Sequence, residues 1–199
     1  MFKDINWKPV SAEFLGTLFL VFFGVTSFIY WPNEGEFLLE ATITLGLTLF
    51  VLVHILGPVS GCHLNPVITI PIFMSGKMKQ DDAIAYIVAQ IIGATMGFIL
   101  FKELKPVPDA PDIDVLIVAL VGTTFFVTSL LASQDPGSIG ATLFVVSMTS
   151  FGDVNPGVSL GNMFALVIDG EAAWAFYGII GSVIGCFLGW QIKEKIMDS

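Results

Sequence analysis

The chain has 199 residues, of which 55% are hydrophobic and 13% charged, and a mean hydropathy of +0.85. That composition excludes an ordinary soluble domain and reads as an integral, multi-pass membrane protein. The net charge of −9, with eight lysines and no arginine, excludes a nucleic-acid partner, and the two cysteines, Cys62 and Cys186, have neither metal-ligand spacing nor a disulfide framework.

Charged residues punctuate the sequence, and the uncharged gaps measure spans against the roughly 20 residues a transmembrane helix needs. Between Glu13 and Glu34 lie 20 such residues, giving span one from Phe14 to about Tyr30 with no cleavable leader expected before it. Between Glu40 and Lys77 lie 36, enough for a second span plus a half-helix. Asp82 to Lys102 encloses 19 and gives span three. Asp114 to Asp135 encloses 20, Asp135 to Asp153 17, Asp153 to Asp169 15 and Glu171 to Lys193 21, so the second half repeats the pattern.

The repeat is visible in residues too. Ala12-Glu13-Phe14-Leu15-Gly16-Thr17 is echoed by Val118-Ala119-Leu120-Val121-Gly122-Thr123. Span three carries Gly93 and Gly97, and span six carries Gly181, Gly185 and Gly189, at the spacing that lets membrane helices approach closely. Three spans per repeat invert the second copy relative to the first, which favours a transporter or channel. The expected architecture is one all-α membrane domain over 1–199, with repeats at about 10–102 and 113–193.

Each repeat contains one Asn-Pro pair, Asn65-Pro66-Val67 and Asn155-Pro156-Gly157, each before an apolar run too short to cross a bilayer. Asn caps a helix and Pro suits its first position, so both pairs predict half-helix starts. Irregular backbone at membrane depth is tolerated only inside protein or beside a polar path. Two half-helices entering from opposite faces would bring two positive dipole ends to one spot, with Asn amides as donors and loop carbonyls as acceptors. That arrangement suits a small hydrogen-bonding solute and repels cations.

At these residues the chain resembles the aquaporin, or major intrinsic protein, family. The resemblance rests on Ser60-Gly61-Cys62-His63-Leu64-Asn65-Pro66, on Ala12 to Thr17 and on Tyr86-Ile87-Val88-Ala89-Gln90-Ile91-Ile92-Gly93-Ala94, and it covers nearly the whole chain. It implies an aquaporin-like right-handed bundle of six transmembrane helices plus two re-entrant half-helices, a pore in each subunit and a homotetramer. It also implies passage of water or small neutral solutes of the glycerol, urea or ammonia class, with no cofactor.

The departures are specific. Both Asn-Pro-Ala boxes are altered. Val158 stands where most members carry Arg, and the remaining constriction positions fall on Leu45, Leu143 and Gly152, making an apolar filter. Ala119 replaces the second buried Glu, while Glu13 remains and is expected to hydrogen-bond loop backbone inside the bundle. Gly16 and Asn65 are 49 positions apart but Gly122 and Asn155 only 33, so span five should be short and Leu143 is a provisional filter residue.

His63 reads as a packed loop residue rather than a proton sensor, Cys62 equally as a small packing residue or a pore-lining thiol, and Pro71 as a bend in the first half-helix. Asp153 reads as a solvated loop acid, with an attractant at the pore mouth as the alternative. The lysines orient the chain: with both termini cytoplasmic, Lys3, Lys8, Lys77, Lys79, Lys193 and Lys195 lie inside and only Lys102 and Lys105 outside, with the plasma membrane as the expected location. No nucleotide loop, metal cluster or paired nucleophile and base points to an enzyme. An ion-permeable pore and a non-conducting structural homologue stand as alternatives.

Overall fold

The computed structural model describes residues 5–30, 38–101, 112–150, 154–168 and 176–197. Among these residues the regular structure is entirely helical. The helices are α1 (Trp7–Phe19), α2 (Ser27–Tyr30), α3 (Leu38–Ser60), α4 (Pro66–Met74), α5 (Gln80–Phe101), α6 (Asp112–Ala132), α7 (Pro136–Ser150), α8 (Pro156–Ile168) and α9 (Phe176–Ile192). A π-helical segment, Leu20–Val25, joins α1 to α2, and a second, Lys193–Met197, follows α9.

Four of the described segments are long and apolar enough to cross a membrane: Trp7–Val25, Leu38–Ser60, Gln80–Leu100 and Val115–Ala132. The apolar side chains are arranged for lipid. Phe19, Phe23, Leu47, Val121, Phe125, Phe164 and Phe187 are exposed, whereas Glu13, Thr17, Thr69 and Gln90 are fully buried. This inversion of the soluble pattern follows from a surrounding solvent that is hydrocarbon: apolar side chains lose nothing by facing it, and polar groups must find partners inside.

The packing repeats as the chain does. α1 lies against α5, α6 lies against α9, and α3 lies against α7, with α3 also touching α1 and α7 also touching α6. Glycine sets the closest approach. A methyl group at Gly93 would collide with the Phe14 carbonyl, and one at Gly185 would collide with the Leu120 carbonyl. Phe14 and Leu120 are equivalent positions of the two repeats, so one contact is built twice.

The sixteen-residue shortfall of the second repeat is concentrated around α7, which has 15 residues against 23 in α3. At 1.5 Å per residue α7 is about 22 Å long, less than the roughly 30 Å hydrocarbon core. It starts abruptly at Pro136, after only Ser133–Asp135, because Asp135 caps it: Oδ2 accepts from Ser138 N at 2.8 Å. Bilayer thinning or flanking polar residues must cover the difference.

Candidate functional site

The first half-helix begins at a loop, residues 61–64, buried from Cys62 onward, whose backbone is bent by left-handed residues Gly61 (φ 84°), Cys62 (φ 51°) and Leu64 (φ 50°). For non-glycine residues this conformation costs about 1–2 kcal/mol each. The loop's amides identify what holds it. Cys62 N donates to Ser60 Oγ at 3.0 Å, His63 N to Glu13 Oε1 at 3.0 Å and Leu64 N to Glu13 Oε2 at 2.7 Å.

Ser60 Oγ also donates to Glu13 Oε1 at 2.6 Å, and Gln90 Nε2 donates to Oε2 at 2.9 Å. Four donors thus converge on the two oxygens of Glu13, which is fully buried, and fill its acceptor capacity. Tyr86 Oη adds a bond to the Ser60 carbonyl at 3.0 Å. The amides of the loop therefore point into this cluster. The carbonyls of Gly61, Cys62 and His63 accept no hydrogen bond among the described residues.

The half-helix tips meet through the asparagines. Asn65 Oδ1 accepts from Val67 N at 3.0 Å and Asn155 Oδ1 from Gly157 N at 3.1 Å, the N-cap geometry expected of both. Their amides are exchanged: Asn65 Nδ2 donates to the Val154 carbonyl and Asn155 Nδ2 to the Leu64 carbonyl, each at 2.9 Å. Each NH2 has two protons, so one on each amide has no partner among the described residues. Gly157 is packed tightly here: a β-carbon would lie 2.9 Å from Pro66 Cδ.

Pro71 removes the amide that would serve the Val67 carbonyl one turn earlier in α4. Cys186 Sγ, reaching from α9, lies 3.2 Å from that carbonyl and replaces the lost donor. Sequence reasoning gave Cys186 no such role.

The expected filter positions are distributed. Leu45 and Leu143 are buried in the same apolar cluster, with Leu49, Val67 and Val154. Val158 is half-buried and packs against a second cluster containing Val21, Ala94, Phe98 and Ala165. Gly152 and Asp153 lie outside the described residues. Cys62 is 3% exposed and belongs to the first cluster, so its thiol is covered. His63 is buried, with Nδ1 3.1 Å from Thr69 Oγ1 and its ring edge-on to Tyr86.

Repeat two has no carboxylate at the place of Glu13. Ala119 is buried there and faces Gly181, and Thr123, the counterpart of Thr17, has a hydroxyl with no partner among the described residues. Ser60 and Gln90, which bond Glu13, stood in the sequence only as letters of the quoted motifs, and Thr69, which bonds Gln90, stood in none; no role was read for any of the three. The available signal was Tyr86 and Gln90 four apart in an apolar run, hence on one helix face.

Long apolar helices packed with two short helices whose N-terminal asparagines exchange hydrogen bonds define an integral, multi-pass membrane protein. The profile of the family described as Major intrinsic protein matches residues 2–139. The chain is 27% identical over 224 residues to the lens fiber major intrinsic protein of Ovis aries, covering 96% of this chain and 81% of that one. It is 40% identical over 99 residues to aquaporin-5 of Sus scrofa, covering 50% of this chain but only 37% of that protein. In fold it is similar to the aquaglyceroporin from Plasmodium falciparum, with a TM-score of 0.81, 19% identity and coverage of 95% and 96% of the two chains. The chain belongs to the major intrinsic protein family.

Proposed function

We propose that this protein is a passive channel for water and small neutral solutes of the glycerol, urea and ammonia class, with one pore in each subunit of a homotetramer. The observation that carries this reading is the exchanged Asn65 and Asn155 junction. It joins the N-termini of two short helices and leaves one proton on each asparagine amide without a partner among the described residues, and the loop before Asn65 has three carbonyls that accept no hydrogen bond among those residues, which supports a site for a hydrogen-bonding solute. A molecule with both donors and acceptors exchanges its water shell for these groups, while a cation meets two positive dipole ends.

In this reading the outer constriction is apolar and has no arginine, with Val158, Leu45 and Leu143 as its candidate residues together with Gly152, which lies outside the described residues. It favours solute breadth over water rate, because water finds few partners in an apolar ring while glycerol finds greasy contact and room. The termini face the cytoplasm and the membrane is the plasma membrane; a reporter fused after Ser199 tests the orientation.

Purified protein in proteoliposomes should swell in inward glycerol and urea gradients faster than empty vesicles, pass water at a moderate rate and carry no current. Swelling no faster than that of empty vesicles refutes the channel, and a conductance refutes neutrality of the permeant.

A further inference from the structure

The proton on the His63 ring can be located by counting hydrogen bonds at Thr69. The Thr69 hydroxyl has one proton and two acceptor positions, and three groups surround it: Gln90 Nε2 at 3.1 Å, His63 Nδ1 at 3.1 Å and the Asn65 carbonyl at 3.3 Å. Gln90 can only donate, since its Nε2 also serves Glu13 Oε2 at 2.9 Å and a flipped amide would set oxygen against the carboxylate. The Asn65 carbonyl can only accept.

All three contacts coexist in one arrangement: Gln90 Nε2–H and His63 Nδ1–H donate to Thr69, and the Thr69 hydroxyl donates to Asn65. If Thr69 donated to His63 instead, its contact with the Asn65 carbonyl, which also accepts the amides of Ile68 at 3.1 Å and Thr69 at 3.2 Å, would be lost. We propose that Thr69 is a positioning residue that holds His63 as the neutral Nδ1–H tautomer, leaving Nε2 an unprotonated acceptor for the hydrogen-bond donors of a passing solute.

The surroundings of Nε2 fit. It has no partner among the described residues, so a proton there would face no acceptor. It lies over Gly61, where a β-carbon would come within 3.1 Å of it, so glycine keeps that approach open. The same loop offers the carbonyls of Gly61, Cys62 and His63, which accept no hydrogen bond among the described residues, and Nε2 extends this set of acceptors. Such a wall selects for O–H and N–H groups. The contact with solute rests on the channel proposed above, whereas the tautomer does not.

The test is nitrogen-15 NMR of histidine-labelled protein in lipid bilayers, in a His54→Gln background that removes the only other histidine. Protonated Nδ1 and bare Nε2 should dominate at neutral pH. Thr69→Ser should keep that signature, and Thr69→Val, which removes the acceptor opposite Nδ1, should bring the Nδ1–H fraction below half. A protonated Nε2 at intact Thr69 overturns the inference, as does an unchanged tautomer in a folded Thr69→Val protein. Because the spectrum needs no transport, a protein that conducts but shows Nε2–H refutes this inference alone. One that shows Nδ1–H without conducting upholds the tautomer while refuting the channel.

Discussion

Glu13→Gln changes one atom and tests the loop anchor directly. Glutamine has one oxygen to offer where the carboxylate has two, so the donors at 2.6 and 3.0 Å on Oε1 and at 2.7 and 2.9 Å on Oε2 cannot all be served. The Ser60 hydroxyl can rotate to accept, but the amides of His63 and Leu64 are fixed in the loop. One of them must lose its partner. An orphaned buried amide costs about 1–3 kcal/mol, and each remaining bond loses about 1 kcal/mol as its acceptor becomes neutral. The total is about 3 kcal/mol or more, which is roughly a hundredfold in the population of the latched loop.

Release is further favoured because Cys62 and Leu64 leave left-handed backbone at about 1–2 kcal/mol each. The readout is the maleimide labelling rate of Cys62, only 3% exposed with the loop in place, in a Cys186→Ser background, together with swelling flux. Labelling should rise at least tenfold and flux should fall. Labelling and flux both within twofold of the parent would show that the carboxylate does not hold the loop. Thr17→Val is the control: its hydroxyl only bonds back to the Glu13 carbonyl at 2.8 Å, so its loss should cost about 1 kcal/mol or less.

Gly157→Ala should lower thermal stability by about 1–3 kcal/mol and reduce flux, since its methyl would press on the rigid Pro66 ring at 2.9 Å and force the tips apart; an unchanged melting temperature and flux would refute that tight contact. Cys186→Ala should cost about 1 kcal/mol by leaving the Val67 carbonyl unpaired, Cys186→Ser should cost less, and the Ala penalty should shrink in a Pro71→Ala background that restores the amide. Equal penalties in both backgrounds, read by thermal unfolding, would deny the thiol this role. Val158→Arg should cut glycerol entry more than water entry and suppress any cation leak, measured by swelling and conductance; equal reduction of both solutes would place the constriction elsewhere.

What could be read from the sequence was what depends on spacing along the chain. Asn-Pro before a short apolar run is a local signal, so the starts of α4 and α8 could be read, and the charge gaps anticipated the short α7. Glu13 drew notice because a carboxylate within an apolar stretch needs partners. The identity of those partners was hidden: Ser60 is 47 residues away and Gln90 77 residues away, and no periodicity encodes such a meeting. The left-handed Cys62 and Leu64 were hidden for a related reason, since neither residue type favours that backbone. The Glu13 network supplies what local preference lacks. Cys186 shows the same limit from the other side. A thiol in an apolar helix face looks like packing until Pro71, 115 positions earlier, is seen to have left the Val67 carbonyl without its amide. In both cases one element carries the local defect and a distant one the repair. The two repeats therefore also diverge where a repair exists only once: Glu13 secures the first half-helix, and Ala119 leaves the second to be held by the Asn155 exchange and the packing of α8 on α5.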